Sequence, residues 1–519
     1  MSGGTTVKRF LAALVCIAIL STLFAGCQVD PDAYVPTGNA LTMEDGTPQQ
    51  GPGSNENQEL TLIYYPNRTM NPLQCTDFTN RTILSLIYQS LFVTDRDYNV
   101  YPLLCKQYSV SKDMKTYTLS LENATFSDGT PLTAGDVVAT LTAAKTSAYY
   151  AGRYQHIKSV TAAEDGAIVI VTDTPMENLP ILLDIPILKA TELEATHPLG
   201  TGPYYLDSAG NTALLRRRTN WWCNPSLLVT APAIALKEAV DITQIRDSFE
   251  FDSLDLVCAD PGSDRYADYR CDFELWNCET GLFLYLMCNM ESPIFSNPDV
   301  RAALTTAIDR DALAAAEYRG FAQAVTLPAS PDSPYYSTVL ASKYGYDGTG
   351  ETLKKAASSA GVTKEELVLM VNSGDSMRVR IAHAIAGMLE NAGFKVTVSE
   401  CSESKFQKNL KNRNFDLCLA QTKLSPNMDL SPFFDTYGSL SYGKINDTAM
   451  YALCKEALAN HGNYYTLHQT VMNDGRLCPI LFRSYAVYAT RGLLTELMPA
   501  RDNIFFYTMN KTMESALIP

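Results

Sequence analysis

The chain has 519 residues, 46% of them hydrophobic and 19% charged, with a formal net charge of −15. Such a length exceeds what one core organises and implies two or three domains. The acidity excludes a nucleic-acid or anionic-membrane partner, because a phosphate surface demands clustered Lys and Arg.

The chain begins with an export signal: Lys8 and Arg9 precede an apolar run at 10–20, and small residues lead on to Cys27. The run is short for a permanent span, which needs about 20 apolar residues. Leu23-Phe24-Ala25-Gly26-Cys27 has the form of a lipobox, although Phe24 is bulkier than the aliphatic residue usual at that place. Residues 1–26 are then a signal peptide, and Cys27 is a lipidated N-terminus that anchors the protein to the outer face of the cell membrane. Residues 27–59, rich in Pro, Gly, Asn and Gln, bury too little to offset the entropy of ordering and form a flexible tether. No later segment is long and apolar enough to span a bilayer, so the remainder is expected to be extracytoplasmic.

Residues 60–65 form a strand candidate, followed by the Asn71-Pro72-Leu73 turn and a helix marked by Ile83, Leu84, Ile87 and Leu91. Tyr117, Leu119 and Leu121 alternate with polar residues as a half-buried strand does. Ser127-Asp128-Gly129-Thr130 suits a tight turn, after which Thr133 and Asp136 make a capping-box variant for a helix at 134–142. Residues 168–171 form another strand. Gly200-Thr201-Gly202-Pro203-Tyr204 breaks the chain before a strand at 204–206, and φ freedom plus a rigid proline corner suit a crossing between lobes. An apolar strand at 281–290 precedes a helix from Asn297 to Asp309 and a second from Asp311; Asp309, Arg310 and Asp311 read as a helix corner with surface ion pairs. Over 365–420 strand and helix alternate: a strand at 367–371, a helix with Ile381, Ala384, Ile385, Met388 and Leu389 on one face, strands at 394–398 and 415–420, and a helix near 406–410. That alternation implies a parallel α/β sheet, whose ligands sit beyond the carboxyl ends of the strands. The segment after Ala420 is therefore the cleft candidate.

Eleven of the 13 cysteines follow Cys27, an odd number with no C-x-x-C pair, which argues against a disulfide framework or a zinc site. The five histidines form no i,i+4 pair, and G-x-S-x-G and H-E-x-x-H are absent, so neither a metal site, a cofactor nor a catalytic residue is expected.

The phrases at 126–138, 200–204 and 300–310, in that order behind a lipobox, resemble the extracellular solute-binding proteins of family 5, the peptide-binding class that feeds ABC importers. The resemblance runs through most of the chain after residue 60. It implies a periplasmic-binding-protein-like α/β fold (type II, cluster C) of two hinged lobes, with an extra small domain inserted in the first. Lobe I would comprise 60–74, 197–278 and 478–519, the insert 75–196, and lobe II 279–477. The implied function is non-enzymatic: a monomer captures a peptide or peptide-sized polar solute by lobe closure and hands it to ABC permease subunits. The alternatives are a ligand-sensing surface lipoprotein and a binder of a non-peptide ligand such as a metal chelate or oligosaccharide; a secreted hydrolase lacks motif support.

Peptide-binding members carry Gly-Trp after the strand matching 415–420, then an aspartate that holds the peptide's ammonium. Here the stretch is Gln421-Thr422-Lys423-Leu424-Ser425-Pro426-Asn427-Met428-Asp429. The Gly-Trp is missing, the aspartate's place falls near Ser425 or Pro426, and Asp429 matches the Asp-Pro turn that follows. A buried ammonium without a carboxylate is costly, so a free peptide N-terminus fits poorly here. The candidate ligand residues on this stretch are Thr422, Lys423, Asn427 and Asp429, with Lys423 either facing a carboxylate or phosphate or lying on an exposed loop. Tyr64 and Tyr65 either line the cleft or pack in the core.

Overall fold

The computed structural model describes residues 60–517, apart from 209–212, 224–228, 240, 264–267, 364, 444, 495, 502 and 508–515. Cys27, the leader and the tether lie outside the described residues.

Two long strands, Phe273–Cys288 and Leu477–Thr490, organise the fold. The first runs from half-buried to fully buried along its length, and the second is buried almost throughout, as central strands of an apolar sheet are. They pair antiparallel from Phe273 opposite Thr490 to Met287 opposite Leu477, with a register shift between Glu279 and Leu282. Gly281, at φ 70°, sits inside that shift.

Different strands flank the two ends of this pair. At one end Leu417–Lys423 lies antiparallel to the first long strand and parallel to Glu366–Asn372, which is parallel in turn to Lys395–Cys401. This is the expected parallel α/β unit. Ile381, Ile385 and Leu389 on helix Ser376–Asn391 are fully buried in one cluster with Leu367, Leu369 and Val371, each such side chain stabilising by about 1.5–3 kcal/mol. At the other end Leu256–Ala259 pairs with the second long strand and leads through Leu60–Ile63, Ala233–Lys237 and Leu214–Arg217 to Tyr204–Asp207. A single sheet thus runs through both regions.

A separate sheet carries Cys105–Val110, Thr116–Leu121, Ile168–Thr172 and Ile157–Ala162, and Ala516–Leu517 near the C-terminus adds a parallel edge strand. Beside it, helix Ala134–Ala144 starts at Thr133 with both bonds of the capping box made by Asp136.

Three local expectations are corrected. The single helix expected around 83–91 is two short ones, Phe78–Thr82 and Leu84–Ile87, and Leu91 is buried beyond them. Gly200 and Gly202 are not left-handed; a Cβ on either would come within 2.0 or 2.6 Å of the Ile87 carbonyl oxygen, so they are glycines because two backbones meet there. Arg310 makes no surface ion pair: it is buried and donates to the carbonyl oxygens of Pro479, Thr305 and Ile308, while Asp309 caps helix Arg310–Tyr318.

Candidate functional site

Strand Leu417–Lys423 is buried over its first four residues and half-buried over its last three, so it carries polar side chains out of the core at its carboxyl end. There Lys423 meets Tyr149: its Nζ donates to the phenol oxygen at 2.5 Å and stands 3.9 Å from the ring centroid. Tyr149 also lies 3.2 Å beneath the Arg81 guanidinium and packs edge-on against Tyr150. Arg81 comes from the short helix Phe78–Thr82, capped by Asp77, and donates to the carbonyl oxygens of Pro72 and Cys75 and to the Tyr150 hydroxyl.

Behind these residues is a cavity of about 760 Å³, its solvent-filled mouth included, walled by Arg81, Tyr88, Gln89, Tyr149, Tyr150, Arg153, Asp184, Arg501 and Tyr507 among others. Arg153 grips Asp184 with two nitrogens, each at 2.7 Å. Burial works against the Arg153 charge, but Asp184 more than offsets this and holds its pKa above the ordinary guanidinium value. Burial likewise raises the Tyr150 hydroxyl, against the pull of Arg81 and Arg153. Tyr150 is therefore neutral and Arg153 charged at any physiological pH.

Arg501 ties the cavity to the register shift in the long strands. It donates to the Tyr98 hydroxyl at 3.0 Å and to the Leu424 carbonyl oxygen, and lies 3.9 Å from the Glu279 carboxylate. Tyr98 donates to Glu279 in turn, and burial, then Glu279, pushes its hydroxyl pKa far up. Gly281 donates its N–H to Glu279, and a Cβ there would fall 2.5 Å from Arg501 Nη2. A second charged group stands on the second long strand at the same register shift, where Arg483, opposite Leu282, pairs with Asp260 at 2.6 Å, bonds Gln421 at 2.9 Å and approaches Asp375 at 3.8 Å.

None of the six residues singled out in the sequence is in the cavity wall, and Lys423 bonds a wall residue, Tyr149. Thr422 is half-buried opposite Phe283. Asn427 is buried, its side chain accepting from Ser425 and its carbonyl from the Tyr464 hydroxyl. Asp429 is buried too: it accepts from the Ser431 N–H and hydroxyl at 2.8 Å and pairs with His156 at 3.3 Å, and His156 reaches Asp173 at 3.0 Å on its other side. Tyr64 is buried, its hydroxyl 3.1 Å from His197, and Tyr65 packs half-buried beside Phe249 and Val257. The run Tyr149-Tyr150-Ala151-Gly152-Arg153-Tyr154 is an aromatic-basic signal in the sequence that points to the cavity wall; Arg81 and Arg501 carry no such signal.

Among the described residues no group of three His, Cys, Asp or Glu is placed to hold a metal ion. Cys75, Cys105, Cys258, Cys271, Cys288, Cys401, Cys418, Cys454 and Cys478 are free thiols.

Residues 99–444 match the family model described as bacterial extracellular solute-binding proteins, family 5, middle. The glutathione-binding protein GsiB of Escherichia coli O6:K15:H31 is 24% identical over 357 residues, which cover 64% of this chain and 67% of that protein. Among solved structures, a putative peptide-binding protein AppA from Clostridium difficile superposes with a TM-score of 0.72 at 17% identity, covering 86% of this chain and 98% of that one. The oligopeptide-binding protein AppA from Bacillus subtilis, in complex with a nonapeptide, gives 0.60 at 20% identity over 84% and 95%. The mixed α/β fold is thus that of the cluster C periplasmic binding proteins.

Proposed function

Because this chain belongs to the bacterial extracellular solute-binding proteins of family 5, the binding subunits of ABC importers, we propose that it captures a peptide or peptide-sized polar solute by lobe closure and delivers it to a membrane permease. The family binds solutes and does not transform them, so the cavity's arginines and tyrosines are recognition groups rather than catalysts. The lobes are 60–74 with 197–278 and 478–519, and 279–477, with 75–196 inserted in the first; Cys27, as a lipidated N-terminus, holds the body to the outer face of the membrane.

The observation that carries this reading is the meeting of Lys423 with Tyr149, since it joins the carboxyl end of a parallel-sheet strand to the wall of the arginine- and tyrosine-rich cavity. Glutathione, the printed ligand of one relative, is small enough for such a cavity, whereas the nonapeptide bound by another is larger than it. With these bounds the first long strand crosses from one lobe to the other at Glu279, and its register shift at Glu279–Leu282 is where it would bend against its partner.

Isothermal titration of the protein against a library of short peptides and polar metabolites tests the reading. Saturable binding of at least one solute, recovered unchanged afterwards, is expected; chemical turnover of a bound solute would overturn it.

A further inference from the structure

The charged groups of the cavity wall are engaged by the protein itself. Arg153 gives two nitrogens to Asp184, Arg81 donates to the Pro72 and Cys75 carbonyl oxygens, and Arg501 donates to the Leu424 carbonyl oxygen and the Tyr98 hydroxyl. Several uncharged groups of the same wall are not. Among the described residues the Ser85 and Thr94 hydroxyls and the Asn503 side-chain oxygen have no hydrogen-bond partner. Tyr150 accepts from Arg81 and Tyr507 accepts from the Gln89 amide, which leaves the O–H hydrogen of each phenol without an acceptor among these residues.

Thr94, Tyr150 and Tyr507 are each at least nine-tenths buried. Buried polar groups are paired in nearly all folded proteins, because an unpaired one forfeits its bond to water and gains nothing in exchange. Unpaired groups gathered around one cavity therefore point to a solute that pairs them. Their chemistry says which kind. Ser85, Thr94, Tyr150 and Tyr507 are hydroxyls with a hydrogen to give, and Asn503 is an acceptor that needs a donor. The matching solute is rich in acceptor oxygens and also carries O–H or N–H. A polyol meets both needs with one kind of group, since every hydroxyl accepts and donates.

From this pattern we propose that the cavity selects an uncharged, polyhydroxylated solute of small-saccharide type, recognised through the hydroxyls of Ser85, Thr94, Tyr150 and Tyr507 and the side-chain oxygen of Asn503. The inference rests on the reading that this cavity is the solute site. The rings of Tyr88, Tyr150 and Tyr507 offer apolar cover to the C–H surface of a sugar. A peptide with a free N-terminus is less well served, because its ammonium meets a wall whose carboxylate, Asp184, is already held by two nitrogens of Arg153.

The test titrates the full chain calorimetrically with a panel of neutral mono-, di- and trisaccharides and sugar alcohols, and with free tripeptides, amidated tripeptides and acidic metabolites. The tightest binder is expected to be a neutral saccharide, with an affinity that holds as salt is added, because no charge on the solute is there to be screened. Thr94→Val and Ser85→Ala separate recognition from structure. Each removes a hydroxyl that bonds nothing among the described residues, so the urea midpoint without solute should stay level or rise. Affinity for the saccharide should fall about three- to tenfold in each, the scale of one hydrogen bond. A peptide or charged metabolite that binds more tightly than every saccharide overturns the inference and leaves solute capture standing. Variants that keep full affinity overturn it too, and so does a midpoint that drops along with the affinity, since the hydroxyls would then be structural. If no solute of any class binds, both the inference and the reading of the cavity fall.

Discussion

Two buried histidines sit in opposite electrostatic surroundings, and each leaves its own mark on stability against pH. His468 is fully buried with neither ring nitrogen hydrogen-bonded among the described residues, and burial drops its pKa to about 3. The unfolded chain therefore takes a proton near pH 6.5 that the folded protein refuses. Stability is lost as pH falls below 6.5, by up to about 1.4 kcal/mol per unit, until the folded value is reached. His156 behaves in reverse. Burial opposes its charge, but Asp429 and Asp173 more than compensate and raise its pKa. Its contribution is fully present below 6.5 and is lost as pH rises through the raised value. His468→Leu should flatten the acid limb of a denaturant-midpoint profile between pH 3 and 6.5, and His156→Gln should flatten the limb above 6.5; profiles that keep both slopes would contradict these assignments. Gly281 gives a third test at this scale. Its positive φ and the 2.5 Å approach of Arg501 leave no room for a methyl group, so Gly281→Ala should cost about 1–3 kcal/mol in chemical unfolding.

The elements differ in how far they can be read from their own residues. The Thr133–Asp136 capping box, the helix face of Ile381, Ile385 and Leu389, and the parallel strands around it are local patterns, set by hydrophobic period and end chemistry within a few turns of chain. Thr133→Ala should therefore cost about 1 kcal/mol, measured by urea midpoint. The Gly200–Tyr204 segment was legible as a break but not in its reason, because the Ile87 carbonyl that excludes a side chain comes from more than a hundred residues earlier. Gly200→Ala should destabilise more than Thr133→Ala, since backbone rather than a movable side chain must shift; equal midpoints would show that the contact relaxes. The site was least legible. Read from sequence, the strand ends at Ala420 with Lys423 in the segment beyond, whereas Lys423 is the strand's last residue; its partner Tyr149 is 274 positions away, and Arg501 lies 403 positions from Tyr98. Asp429 reads as a candidate cleft ligand or a turn residue in sequence because nothing near it announces His156, which immediately precedes strand Ile157–Ala162 of the other sheet.

On the scale of the whole molecule, Phe273–Cys288 and Leu477–Thr490 make the two regions of the large sheet continuous, so the proposed closure would be absorbed where their pairing is already irregular. The proposed lipobox has its own outcome: Cys27→Ala should release the protein from the membrane fraction, and retention there would rule out anchoring through that residue. Capture by closure has a direct physical signature, because a hinged pair of lobes becomes smaller when a solute bridges them. Small-angle scattering with the solute that binds most tightly in titration measures this. The radius of gyration is expected to fall on saturation and to recover when the solute is dialysed away; a radius that stays constant through full saturation would contradict closure as the mechanism.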